Sequence, residues 1–411
     1  MISFLALAFV FVMMIVRRIG HFRLELWQIM GIGALLVLVT GQISPVEALR
    51  AINWEVILFL ATMFLIGAAM EESGYLSHLT YEVFKRARTT DGLVLTILFV
   101  MGIGSAFLMN DTLAIVGTPV VLHLAKKHHL RPSFLLLTLA FAVTIGSVMS
   151  PLGNPQNFLI ASEGKIAFSV GTFFYFLAIP TMINLGIAYL LLRVFYWREF
   201  RREQVLKHSQ EPIHDHQMAR LSRFSLWVLL GGVVVKILLS FAFHGPDIPL
   251  LAITTVASLP PLLFGKKRFL LVKRLDWYTL LFFVSMFILM RSVWNTGYFQ
   301  EWLNHLPFSP TSWEAIAVVS VLGSQILSNV PLVALYLPML LLRGAGMKEL
   351  MILAAGSTIA GNLTILGAAS NVIILQNAEK RAKVTVSFWE FVKVGLPLTV
   401  LNLGIYALFL R

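Results

Sequence analysis

Cysteine is absent from the 411 residues, which excludes disulfides, thiolate metal sites and thiol nucleophiles. Charge is scarce as well. Only 13% of the residues are Asp, Glu, Lys or Arg, against 58% apolar and a mean hydropathy of +0.83. A soluble domain of this size leaves roughly a quarter of its surface in water and could not hide so much apolar side chain. The ten histidines lie mostly in loops without an H-E-x-x-H helix or another ligand spacing, so no metal site and no cofactor is expected. No G-x-S-x-G elbow and no pair of intramembrane aspartates suits an intramembrane hydrolase, so the chain does not read as an enzyme.

What the chain has is a series of apolar runs of about 20 residues, the length that crosses ~30 Å of hydrocarbon. Spans are predicted at 2–16, 25–45, 53–72, 133–161, 170–196, 224–243, 247–264, 276–294, 349–376 and 387–410. The first lacks a basic leader and a cleavage site, so it reads as a short span with the N-terminus outside rather than a signal peptide. Two further stretches, 92–125 and 312–342, are too long for one helix and too short for two full crossings. Each is interrupted midway by an Asn, which predicts a re-entrant hairpin.

The net charge of +12 could suggest a nucleic-acid partner, but the basic residues sit in alternate loops, so none is expected. With the N-terminus outside, the inner loops hold 23 of the 32 Lys and Arg and the outer loops, with Arg411, hold five. This topology puts His208 in the cytoplasm and Asn304, Gly344 and the C-terminus outside, in a plasma membrane whose bilayer is the principal partner. Arg291 reads as a side chain snorkelling to the outer interface, and Lys236 as a lipid or subunit contact.

An internal repeat divides the chain. At an offset of 223, Trp54, Phe59, Met63, Gly74 and Tyr75 match Trp277, Phe282, Met286, Gly297 and Tyr298. At 219, Gly104, Ser105, Asn110 and Pro119 match Gly323, Ser324, Asn329 and Pro338; at 214, Thr144, Gly153 and Asn157 match Thr358, Gly367 and Asn371. Five crossings separate the first spans of the two repeats, so the second lies upside down. The organisation predicted is an N-terminal span and basic loop (1–24), a first inverted repeat (25–196), a cytoplasmic linker with a connecting span (197–246) and a second inverted repeat (247–411). The fold class is an all-α polytopic membrane protein. Inverted repeats with interrupted helices are the architecture of alternating-access secondary transporters, with the site near the midplane.

The candidate site residues lie at the interruptions. Asn110, Asp111 and Thr112 form the first hairpin tip, and Ser328 and Asn329 the second. The breaks in the following spans hold Gly153, Asn154 and Asn157, then Thr364, Gly367, Ser370 and Asn371. Pro and Gly in these breaks free carbonyls and amides at membrane depth. Freed carbonyls suit a cation, half-helix N-termini suit an anion, and Asn offers both donor and acceptor. Each Asn could instead simply cap its half-helix, as could Asp111. A charge at that depth, however, usually belongs to an ion or proton pathway.

At these blocks the sequence resembles the ion transporter superfamily of arsenite permeases, NhaD-type sodium/proton antiporters, citrate permeases and divalent anion/sodium symporters. Asn110-Asp111 followed by Thr118-Pro119 is similar to the hairpin of the arsenite-permease and antiporter branch. Ser328-Asn329 with Pro338 resembles the Ser-Asn-Thr hairpin of the anion symporters, and residues 151–157 resemble the P-x-G-x-P-x-N break. The resemblance implies a scaffold and a mobile transport region, ion sites at the hairpin tips and a homodimer. Met109, Asp111 and Val330 depart from the Ser-Asn-Thr pattern, which sets the usual two-sodium symmetry in doubt. The function expected is ion-coupled transport of a small inorganic anion, carboxylate or arsenite-like oxyacid, driven by H+ or Na+. The alternative is a sodium/proton antiporter using Asp111, ahead of a channel.

Overall fold

The computed structural model describes all residues except 1, 17, 20–21, 76–77, 79–81, 83–86, 202–212, 243–247, 299–300 and 302–308, so His208 and Asn304 lie outside the described residues. Apart from a two-residue ladder pairing Arg18–Ile19 with Phe22–Arg23, every regular element among the described residues is helical. Six helices are long and apolar enough to cross a bilayer unaided: Trp54–Glu72, Thr90–Leu108, Ser169–Phe195, His216–Lys236, Trp277–Asn295 and Phe388–Leu410.

Helices start where the sequence supplies a cap. Asn53 and Asp276, 223 residues apart, each accept the backbone N–H three residues on, from Val56 at 3.1 Å and Thr279 at 3.0 Å. The helices they open, Trp54–Glu72 and Trp277–Asn295, are each followed two residues past their end by a glycine in the left-handed region, Gly74 (φ 72°) and Gly297 (φ 75°).

Several predicted boundaries differ from the structure; the span placed at 349–376, for one, ends in a helix that runs on to Ala382. The span placed at 25–45 stops at Val39, and most of the loop placed at 46–52 is a separate short helix, Pro45–Ala51. Gly41 (φ 69°) turns the chain, and Ser44 restarts it by accepting the Glu47 amide at 3.1 Å, with Pro45 at the first helical position. The span placed at 224–243 starts at His216, taking residues 216–223 from the predicted linker. Asp215 is responsible: its Oδ1 accepts the Met218 amide at 2.9 Å. That hydrogen bond, aided by the Lys267 ammonium 3.7 Å away, holds the Asp215 carboxyl below the usual carboxylate range despite an opposing effect of burial.

Both interrupted stretches fold back at a single residue. Met109 (φ 65°, ψ 142°) joins Thr90–Leu108 to Asn110–Lys127, and Ser328 (φ 69°, ψ 163°) joins Trp313–Leu327 to Asn329–Leu342. Such a backbone costs a non-glycine residue ~1–3 kcal/mol, so the packed arms must hold it. They do so alike: a methyl group on Gly104 would lie 3.0 Å from Leu113, and one on Gly323 2.8 Å from Leu332. The arms of the first hairpin, 19 and 18 residues, are longer than the half-helices predicted. Thr89 starts the leading arm early by accepting the Gly92 amide at 3.0 Å. A π-helical turn at Ile97–Met101 then brings Gly102 against the following helix, where a methyl group on Gly146 would lie 2.0 Å from the Gly102 carbonyl oxygen.

The helices pack in two groups. Leu26–Val39, Trp54–Glu72, His216–Ala242, Leu250–Phe264 and Trp277–Asn295 lie against one another. The hairpins and broken helices form the other group, flanked by the mutually packed Ser169–Phe195 and Phe388–Leu410. The segment after each break lies on the trailing arm of the other hairpin: Ala369–Ala382 on Asn110–Lys127, and Pro155–Glu163 on Asn329–Leu342. The hairpins and breaks are therefore interlocked.

Polar contacts join residues of the loops and helix ends in two sets. On the basic side, Lys267 and Arg274 pair with Glu72, and Arg131 with Glu199 at 3.2 Å. On the other, Arg291 lies 3.5 Å from Glu47 and Arg411 pairs with Glu314 at 3.0 Å. Lys236 departs from its reading as a lipid contact. It is 2% exposed and donates to the Ile248 carbonyl at 2.7 Å, because a buried ammonium needs an acceptor from the protein.

Candidate functional site

A broken helix leaves backbone groups that hydrocarbon cannot satisfy, so side chains must supply the partners. In the first break the Asn157 amide donates to the carbonyls of Ser147, Val148 and Ser150 at 3.1–3.2 Å. Asn154 caps the next helix by accepting the Asn157 amide N–H at 2.9 Å, and donates to Ser147 Oγ at 3.1 Å and Thr358 Oγ1 at 3.2 Å. Asn371 in the second break donates to the Gly361 carbonyl at 2.6 Å. These three Asn residues are 0–1% exposed and hold the breaks in shape.

The hairpin tips dock on these breaks. The Asn110 backbone N–H donates to the Gly153 carbonyl at 2.9 Å, and its side-chain amide makes a long contact (3.5 Å) with Ser370 Oγ in the second break. The second hairpin is held by Gln325, whose amide donates to Ala360 O at 2.9 Å and whose oxygen accepts from Thr364 Oγ1 at 2.7 Å. Gly367 is required beside it, since a methyl group there would lie 2.5 Å from Ala360 O.

Asp111 is not the N-cap of its helix. Met109 occupies that position, and Asp111 lies in the first turn, 6% exposed. Among the described residues its carboxylate has no hydrogen-bonding or ion-pairing partner. Asn329, 5% exposed, likewise has a side-chain oxygen without a donor. Both residues border the same space.

That space is a cavity of about 360 Å3 lined by both tips (Asn110, Asp111, Ser328, Asn329) and by the helix starts after both breaks (Pro155, Gln156, Ala368, Ala369). Glu25, Trp27, Asp276 and Tyr278, which adjoin the basic loops, also line it. Among the described residues, three carboxylates line it, from Glu25, Asp111 and Asp276, and no Lys, Arg or His does. The carboxylates are not clustered as metal ligands.

Of the residues predicted from sequence, Asn110, Asp111, Ser328 and Asn329 line the cavity. Gly153, Asn154, Asn157, Thr364, Gly367, Ser370 and Asn371 lie behind them as the supports just described. Thr112 points elsewhere: a methyl group on Gly67 would meet its Cγ2 at 2.9 Å, so it packs on helix Trp54–Glu72. Sequence reasoning missed Gln156, Gln325 and Asp276. The available signal was, for Gln156, its place in the polar break between Pro155 and Asn157, for Gln325 a Gln inside an apolar stretch, and for Asp276 its position opposite Asn53 in the repeat.

Comparison with known proteins agrees with this architecture. The model of the citrate transporter family matches residues 8–349. A 46 kDa membrane protein of Mycobacterium leprae is 28% identical over 382 residues, covering 87% of this chain and 86% of that one. The silicon efflux transporter LSI3 of Oryza sativa subsp. japonica is 26% identical over 443 residues (90% and 89% covered). A candidate transporter named arsB from Dictyostelium discoideum is 22% identical over 478 residues (90% and 84%). Among solved structures, the YdaH transporter of Alcanivorax borkumensis superposes with a TM-score of 0.58 at 17% identity, over 100% of this chain and 96% of that one, and so shares the fold.

Proposed function

This chain belongs to the citrate transporter family, within the ion transporter superfamily, and from that premise we propose that it is an ion-coupled secondary transporter of a small, weakly ionised oxyacid. The observation that carries this reading is the charge of the cavity at the hairpin tips, with three acidic and no basic side chains among the described residues of its lining. A carboxylate or inorganic anion entering it meets like charges, each worth ~1 kcal/mol at 4 Å in water and more in a low-dielectric cleft. An uncharged hydroxylated solute meets the amides and hydroxyls of Asn110, Gln156, Gln325, Ser328 and Asn329, which both donate and accept. The relatives named for silicon efflux and for arsB fit the same class, since silicic and arsenous acids are uncharged near neutral pH.

Asp111 is the coupling carboxylate, holding H+ or Na+ beside the solute. Asn110, Ser328 and Asn329 bind, while Thr112, Gly153, Asn154, Asn157, Thr364, Gly367, Ser370 and Asn371 position them. The basic side is cytoplasmic and both termini are outside, in a plasma membrane. The two repeats are inverted and give alternating access, and a homodimer belongs to the same reading. Sodium/proton antiport without a solute is the second reading, favoured by the same unpartnered carboxylate.

Flux in proteoliposomes decides between them. With imposed pH or sodium gradients, arsenite or silicic acid should accumulate against its own gradient and free citrate should not. Citrate uptake without oxyacid uptake would overturn the oxyacid assignment, and gradient-independent leak of all solutes would indicate a channel.

A further inference from the structure

On the side opposite the basic loops, two hydrogen bonds join the helix groups. Asn53 Nδ2 donates to Glu163 Oε1 at 2.7 Å, and Ser162 Oγ donates to Glu55 Oε2 at 2.5 Å. Asn53 and Glu55 stand at the start of Trp54–Glu72, while Ser162 and Glu163 end the helix that follows the first break. They fasten the segment after that break to the other helix group. Behind them lies an outer cavity of about 730 Å3, lined by Asn53, Glu163 and Arg291 among others.

The inner and outer cavities share walls. Tyr278 and Phe283 of helix Trp277–Asn295 line the inner one, and Phe287 and Arg291 of the same helix line the outer. Helix Asn329–Leu342 does likewise, with Val330 on the inner cavity and Leu337 on the outer. One helical turn, from Phe283 to Phe287, parts the two.

The repeat assigns each latch residue a counterpart. The offset of 223 takes Asn53 to Asp276 and Glu55 to Tyr278; the offset of 214 takes Ser162 to Gln376 and Glu163 to Asn377. The hydrogen-bonding complement survives in both pairs. Asn53–Glu163 is an amide donor facing a carboxylate, and Asp276–Asn377 is a carboxylate facing an amide donor. Glu55–Ser162 joins an acceptor to a hydroxyl, and Tyr278–Gln376 joins a hydroxyl to an amide oxygen. Among the described residues no hydrogen bond joins Asp276 to Asn377 or Tyr278 to Gln376, and Asp276, Tyr278 and Gln376 line the open inner cavity.

We infer that these four residues form a second latch, made in an outward-open state in which Asp276 bonds to Asn377 and Tyr278 to Gln376. The structure is the complementary state, with the outer latch made and the inner one unmade. This inference rests on the alternating-access reading. It adds that the two latches exclude each other, because making the inner one moves the broken-helix segments and pulls Ser162 and Glu163 away from Glu55 and Asn53.

The native chain has no cysteine, so paired substitutions report without interference. The test uses the full chain in proteoliposomes with Asn53→Cys/Glu163→Cys, with Asp276→Cys/Asn377→Cys, and with all four together, under a mild copper-phenanthroline oxidant. Each pair should form a disulfide, each disulfide should stop transport reversibly, and the four-cysteine protein should keep two free thiols per molecule. Tyr278→Cys/Gln376→Cys replaces the inner pair if the first variant does not fold. Loss of all four thiols to intramolecular links overturns the inference, as does an inner pair that never links in protein that still transports. Mutually exclusive links in protein that moves none of the tested solutes would uphold the latches and reject the solute assignment instead.

Discussion

Asn157 donates its side-chain amide to the Ser147 carbonyl at 3.2 Å, and 214 residues later Asn371 does the same to Gly361 at 2.6 Å. The first of these amides also serves Val148 and Ser150. A buried acceptor stripped of its donor costs ~1–3 kcal/mol. Asn157→Ala should therefore destabilise the protein more than Asn371→Ala, by about 1–3 kcal/mol relative to it. Thermal unfolding of the purified variants in detergent measures this order. A larger loss at Asn371 would remove the assigned role of Asn157.

Asp215 offers a test in acid. Its carboxyl is held below the usual carboxylate range chiefly by the Met218 amide. The stabilisation is therefore fully present above that range and is lost as pH falls through the lowered folded value. Asp215→Asn keeps a capping oxygen but cannot titrate, so the stability difference between it and the native protein should shrink as the medium is acidified. A difference that stays constant through the acid range would show that the charge contributes nothing there.

Asn110→Ala and Asn329→Ala should each abolish gradient-driven flux while the protein still inserts and elutes as a folded species. Loss of a polar ligand facing a desolvated charge costs ~1.5–3 kcal/mol, roughly ten- to a hundredfold in affinity. Near-native flux from both variants would reduce these residues to tip geometry.

Much of this fold is legible in the sequence because hydrocarbon tolerates few exceptions. A mid-span Asn with Pro or Gly nearby points to a place where the backbone is satisfied by side chains, and Asn110, Asn157 and Asn371 each bond to backbone there. The helix starts at Pro45 and His216 were harder to see, since Ser44 and Asp215 lie within polar loops where a cap resembles any other polar residue. The cavity was only half legible. Asp276 lies 165 residues after Asp111 in the sequence and acts locally as an N-cap. Only the packing of helix Trp277–Asn295 beside the second hairpin brings it to the tips. Thr112 shows the converse: adjacency to Asp111 suggested the site, but one residue turns a helical side chain by about 100°, toward Gly67.

The central claim is that Asp111 carries the coupling ion. It lies in the first helical turn but is not the cap, so Asp111→Asn removes the charge while sparing the cap geometry at Met109. The structural cost should be limited to the loss of a favourable helix-dipole contact, about 0.3–1 kcal/mol. The decisive measurement is gradient-driven oxyacid flux as a function of pH, and separately of sodium, for native and Asp111→Asn protein in liposomes. The native protein should respond to one of these ions, and the variant should lose that response even if it still equilibrates the solute. Superimposable curves for the two proteins would contradict the account and leave Asp111 outside the mechanism.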